Sequence, residues 1–134
     1  PAATRAAAVD RLAPARALIA QEKWRDAIAA LQRANDPGNA DWNNLMGYSH
    51  RKASNPDLAA AERYYDAALR IQPLHRGALE YSGELYLMKA DLPRAQARLA
   101  ELEKACPGGC EELSDLKAAV AKYQAAGGRP SARP

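Results

Sequence analysis

The stretch HRGALEYSGELYLMKADLPRAQARLAELEKACP, residues 75–107, decides how this chain folds. Within it Leu79, Ser82, Gly83 and Tyr86 recur at intervals of three and four, the spacing that lines one face of an α-helix. The series predicts a helix from His75 to about Lys89. Ala90-Asp91 turns the chain, and Leu92, Ala95, Leu99 and Leu102 line a second helix that stops before Pro107. The stretch therefore reads as a helical hairpin.

Toward the N-terminus the same hairpin recurs. Pro73 stands 34 positions before Pro107, and the preceding residues fall into register: Leu58 with Leu92, Ala61 with Ala95, Tyr65 with Leu99. A repeat of this length cannot bury its apolar face alone and must stack on its neighbours. The second unit spans residues 40–74, with about three extra residues around Ala53-Ser54-Asn55 that predict a longer hairpin loop. A first unit, residues 10–39, shows its second helix in Trp24, Ala27 and Leu31. Pro14 is compatible with the other helix only in its first turn, so that helix is expected from about Asp10. After the third unit, residues 75–108, the positions Leu113, Leu116, Val120 and Tyr123 share a face of a helix over 111–125 that would cap the stack. Glu111 and Glu112 suit the positive end of its dipole. The expectation is an all-α chain with a single domain over 10–126, a frayed lead-in over 1–9 and a disordered tail over 127–134.

These residues resemble the tetratricopeptide pattern of Trp, Leu-Gly, Tyr, a Gly-Asp-Tyr-like turn, Ala, an aromatic, Ala and a closing Pro. Trp42, Leu45, Ser49, Leu58, Ala61, Tyr65, Ala68 and Pro73 carry it in the second unit; Leu79, Gly83, Tyr86, Leu92, Ala95, Leu99 and Pro107 carry it in the third. In the first unit Pro14 and Ala15 replace the usual Leu-Gly. The resemblance covers about residues 10–125 and implies a short right-handed α-solenoid whose first helices line a concave, peptide-binding surface. It assigns to that groove Arg16, then Asn43, Asn44, Gly47, His50 and Arg51, then Gly77, Glu80, Tyr81, Glu84 and Met88. One branch of the family clamps a C-terminal carboxylate of chaperones. Asn44 matches one clamp asparagine, but Leu12, Arg16, Gly77 and Tyr81 stand at the other clamp positions, so the resemblance does not extend to that ligand.

Composition narrows the function classes. The net charge is +3, but Lys and Arg alternate with Asp and Glu along nearly every helix, a mixed solvated surface rather than a phosphate-binding stripe; no nucleic-acid partner is expected. No run approaches the roughly 20 apolar residues of a membrane span. The chain contains no Ser-His-Asp arrangement, Gly-rich phosphate loop or histidine-metal spacing, so the expectation is a binding protein and not an enzyme, with no cofactor. Glu80 and Glu84, four apart on one helix, read as solvated charges. Substitutions in the groove are then expected to shift stability by less than about 0.5 kcal/mol. With Glu80 and Glu84 in it, the groove suits a partner segment carrying basic residues near the third unit; self-association is also compatible with it.

The two cysteines, Cys106 and Cys110, enclose Pro-Gly-Gly. Three readings apply: a structural disulfide worth about 2 kcal/mol, a thiol-redox pair, or thiolates that with His50 or Met88 hold a copper-like ion. The small flexible loop favours the disulfide, and with it an oxidising, periplasmic or exported location over a cytoplasmic one. The Cys-Pro-Gly-Gly-Cys-Glu-Glu segment and its following helix also resemble the ending of small exported bacterial tetratricopeptide proteins. The opening Pro1-Ala2-Ala3-Thr4-Arg5, without methionine, is compatible with a removed leader or a trimmed boundary.

Overall fold

The computed structural model describes residues 9–130, so the expected lead-in over 1–8 and the last part of the tail, 131–134, lie outside the described residues. Among the described residues seven helices follow one another: α1 Ala13–Ala20, α2 Trp24–Ala34, α3 Ala40–Lys52, α4 Leu58–Ile71, α5 Arg76–Met88, α6 Leu92–Ala105 and α7 Glu111–Ala125. No strand occurs among the described residues, and the fold is all-α. Pairs α1/α2, α3/α4 and α5/α6 are hairpins, and α7 packs on both α5 and α6.

Helix starts follow from local chemistry. Asn39 Oδ1 accepts from the backbone N–H groups of Asp41 and Trp42, Asp57 Oδ1 from that of Ala60, and Asp91 Oδ1 from that of Arg94. Each side chain satisfies donors that the first turn leaves unpaired. His75 caps α5 in the same way, its Nδ1 accepting from the Ala78 N–H at 3.0 Å. With Nδ1 an acceptor, Nε2 carries the ring proton and donates to Asp41 Oδ1 at 2.6 Å, tying the start of α5 to that of α3. The first helix begins at Ala13, not at Asp10. The Asp10 carboxylate accepts the Leu12 N–H and holds a turn ahead of the helix, and Pro14 lies in the first helical turn. At the other end Gly127 and Gly128 do not belong to a tail. Both have left-handed backbone (φ 72° and 77°), and their N–H groups close α7 on the carbonyls of Gln124 and Tyr123.

The two short hairpins turn alike. Glu22 and Ala90 each take φ 56°, and the next N–H reaches back to Leu18 O and Tyr86 O respectively. This is a helix closure that usually uses glycine, because a Cβ in the left-handed region is strained. In the middle hairpin the equivalent bond runs from Asp57 N to His50 O across a longer loop, residues 53–57 against 89–91, two residues more rather than the three expected. Ala90→Gly is expected to stabilise the protein by about 0.5–1 kcal/mol. A urea midpoint that fails to rise would contradict it.

Packing then sets the shape. Each odd-numbered helix touches the next odd one, α1 with α3, α3 with α5 and α5 with α7, while α2, α4 and α6 do not touch one another. The even helices are therefore splayed, and the odd helices form the inner side of the curve. Close approach depends on small residues. A Cβ at Gly47 would lie 2.8 Å from the Tyr65 ring, and one at Gly83 would lie 2.7 Å from a Leu116 methyl. Ala27, Ala61, Ala68 and Ala95 are fully buried, as are Leu31, Tyr65, Leu102 and Leu116. The Cys106 and Cys110 sulfurs stand at disulfide distance, joining the end of α6 to the start of α7 with their Cα atoms 6.0 Å apart.

Candidate functional site

Three odd helices meet around one pocket. On α3, Tyr48 and Arg51 are a helical turn apart; on α5, Glu80, Tyr81 and Glu84 share a face; on α7, Glu111, Glu112 and Asp115 occupy the first turns. Together they line a cavity of about 310 Å³. Its floor is a charged pair withdrawn from water: Arg51 Nη2 donates to Glu84 Oε2 at 3.2 Å, with the Arg51 side chain 1 % exposed and that of Glu84 10 %. The guanidinium lies over the rings of Tyr48 and Tyr81, 5.4 and 5.7 Å from their centroids, and the two rings pack at 4.4 Å. Such cation–π contacts help hold a charge in a place of low polarity.

The electrostatics follow from burial. Taking Arg51 out of water opposes its charge, but Tyr65 and Glu84 outweigh that effect and the guanidinium stays protonated. Burial pushes the Glu80 carboxyl up to about 9, helped by the neighbouring Glu84 carboxylate and by Asp115. Burial also raises Glu84, against the pull of Arg51. Two carboxyls this close share a proton and titrate as a pair. The raised Glu80 carboxyl keeps a proton at neutral pH that it shares with Glu84, and the Arg51 guanidinium lies against Glu84. Burial likewise raises the Tyr48 and Tyr81 hydroxyls, so neither ionises near neutrality.

A pH dependence follows. A carboxyl whose native pKa lies above its unfolded value adds stability that is complete below the unfolded pKa and is lost as pH rises toward the native one. Between about pH 5 and 9 the Glu80 proton should therefore make stability fall with rising pH, at no more than about 1.4 kcal/mol per pH unit for one proton. Glu80→Gln, which keeps the shape and cannot ionise, should flatten the profile. Urea unfolding of both proteins at pH 6, 7.5 and 9 measures this, and parallel profiles would refute it.

The expected groove residues divide. Arg51, Glu80, Tyr81 and Glu84 come together in the pocket, and the reading of Glu80 and Glu84 as solvated charges is corrected: the residues are 6 % and 8 % exposed. Asn43 is buried and donates to the carbonyls of Pro37 and Asn39, bracing the turn before α3. Asn44 is buried with its amide against Gly77, where a Cβ would lie 2.7 Å from Asn44 Nδ2. Gly47 lies under the Tyr65 ring. His50 turns toward its own hairpin and stacks on Tyr64 of α4, centroids 5.6 Å apart and planes 9° from parallel. Arg16 is exposed on α1 beside Asp10 and Asp41, and Met88 is half-buried at the end of α5. Seven of the eleven expected positions therefore lie outside the pocket lining, and five of those, Asn43, Asn44, Gly47, His50 and Gly77, are taken up by packing or by bonds to neighbouring residues.

Sequence reasoning missed Tyr48, Glu111, Glu112 and Asp115. Tyr48 was legible as the residue one turn before Arg51. The α7 acids were read only against the helix dipole. Treating α7 as the first helix of a further unit would have put its early turns on the groove side. No group of three or more His, Cys, Asp or Glu arranged to hold a metal occurs among the described residues. The two cysteine sulfurs stand at bonding distance from each other. No described helix is long and apolar enough to cross a membrane. No protein-family model matches the chain, and no curated protein or solved structure matches it.

Proposed function

We propose that this chain is a tetratricopeptide-type, non-catalytic module that holds a polypeptide segment along the inner face formed by α3, α5 and α7. The observation that carries this reading is the pocket itself, an aromatic and charged recess where three helices meet on the inside of the curve. Solenoids of paired helices use that side for extended partners, because it brings side chains from several units onto one strand of ligand. The paired Cys106 and Cys110 support placing the protein in an oxidising compartment, where such a bridge persists.

The test is positional. A photo-crosslinking residue is placed at exposed Asp115 on the inner face, and separately at exposed Gln96 on the outer helix α6. Irradiation in the producing cells should yield polypeptide adducts from position 115 and none from position 96. Adducts confined to position 96 would put the binding surface on the outer side of the curve.

A further inference from the structure

We infer that the pocket between α3, α5 and α7 takes one organic cation, the guanidinium or ammonium of an Arg or Lys side chain in the bound segment. This rests on the peptide-holding reading above and names what that face would read.

Charge points to a cation. Among the described residues five carboxyl groups line the recess, Glu80, Glu84, Glu111, Glu112 and Asp115, with Arg51 the one cation of that lining. Arg51 is already committed: it is buried against Glu84 and covered by two tyrosine rings. A chain of net charge +3 thus concentrates negative charge at one place on its inner face. A cleft lined mainly by one sign of charge raises the local concentration of an oppositely charged ligand.

Within that lining, the burial of Glu80 points to the same ligand class. Glu80 is 94 % buried by its 6 % exposure, lines the recess, and has no Lys, Arg or His within salt-bridge distance among the described residues. Its partner is another carboxyl, Glu84, which makes the buried acid depend on a shared proton. A buried carboxyl normally has a cationic or multiple hydrogen-bonding partner. An incoming ammonium or guanidinium would supply the missing one and displace that proton to solvent. Size agrees, since about 310 Å³ is at the bottom of the roughly 300–1,000 Å³ range of ligand pockets and suits a single side chain.

The experiment uses the oxidised chain and four probes: a blocked glycine-serine heptapeptide with one central arginine, the same peptide with lysine, the same with norleucine, and N-acetylarginine amide alone. Titration is followed by amide chemical shifts and by calorimetry in two buffers of different ionisation enthalpy. The cationic peptides should bind saturably and shift Tyr48, Tyr81, Glu112 and Asp115, with release of up to one proton near pH 7. Glu112→Gln with Asp115→Asn, at partly or fully exposed positions that leave packing intact, should weaken them about tenfold. Glu80→Gln should abolish the proton release. Raising salt from 50 to 500 mM should weaken the cationic peptides and not the norleucine one.

Each remaining outcome decides something. Equal binding of arginine and norleucine peptides on this face overturns the cation pocket and keeps the peptide-holding reading. Saturable binding of N-acetylarginine amide with no gain from the peptide keeps the pocket and overturns that reading, pointing to a free small amine. No saturable shift from any probe overturns the pocket.

Discussion

Replacing both buried acids of α5 with lysine, Glu80→Lys with Glu84→Lys, is expected to unfold the domain at neutral pH, a loss of at least about 3–5 kcal/mol. Had these been solvated helix charges, the same change would be nearly silent. It is not, because Arg51 lies beneath them with 1 % of its side chain exposed and Glu84 as its ion-pair partner at 3.2 Å. Two added cations would leave three positive charges in a dry space. The single change Glu84→Ala should cost less than the double one, since removing its neighbour lets Glu80 ionise and face Arg51 in its place. Glu80→Gln with Glu84→Gln blocks that rescue and should cost more than the sum of its parts. Arg51→Met combined with Glu84→Met should recover most of the loss, because replacing a buried pair by apolar groups of similar volume is often neutral. Urea unfolding of the set at pH 7 gives the answer. If the double lysine variant melts within a few degrees of wild type, the pair is not buried in solution.

The second large effect concerns the contact between α5 and α7. Gly83→Leu should cost more than about 3 kcal/mol and detach the capping helix. A Cβ at Gly83 would come within 2.7 and 2.8 Å of the two Leu116 methyls and 3.3 Å of its Cγ. Leu116 is fully buried with Leu113, Val120 and Tyr123 around it, so it has nowhere to retreat. Gly83→Ala should cost about 1–3 kcal/mol, and Leu116→Ala in the same chain should return part of it by opening the space. Hydrogen exchange would show the loss as early exposure of α7 amides. The same variant should bind cationic peptides weakly, because α7 carries Glu111, Glu112 and Asp115. A Gly83→Leu protein with wild-type stability would mean that α7 packs elsewhere.

Much of this fold was legible in the residues. The three-and-four spacing of Leu79, Ser82, Gly83 and Tyr86, the breaks at Ala90-Asp91 and Pro107, and the acids opening α7 each act within a turn or two of chain. Their outcomes, α5 over Arg76–Met88 and α7 over Glu111–Ala125, lie within a residue of the sequence expectation. The errors were local as well. Asp10 looked like the start of a helix and is instead an acceptor that holds the preceding turn, since its carboxylate competes for the Leu12 N–H. Gly127 and Gly128 looked like the start of a tail and are the left-handed closure of α7.

The candidate site was half legible. Arg51, Glu80, Tyr81 and Glu84 could be placed on the inner side by their register, while Asn43 and His50 could not be separated from them. A helical period shows which residues share a face but not whether that face is dry. Tertiary structure decided that. Residues 48, 84 and 115 are far apart in the chain and meet only because α3, α5 and α7 lie side by side on the inside of the curve. By itself the sequence determined the helices, their ends and their pairing, because those depend on hydrogen bonds and spacing within a few residues. The stacking of the helices decided which charges lose their water, and that loss makes Arg51 a buried cation, keeps the proton on Glu80 and concentrates the negative field in one recess.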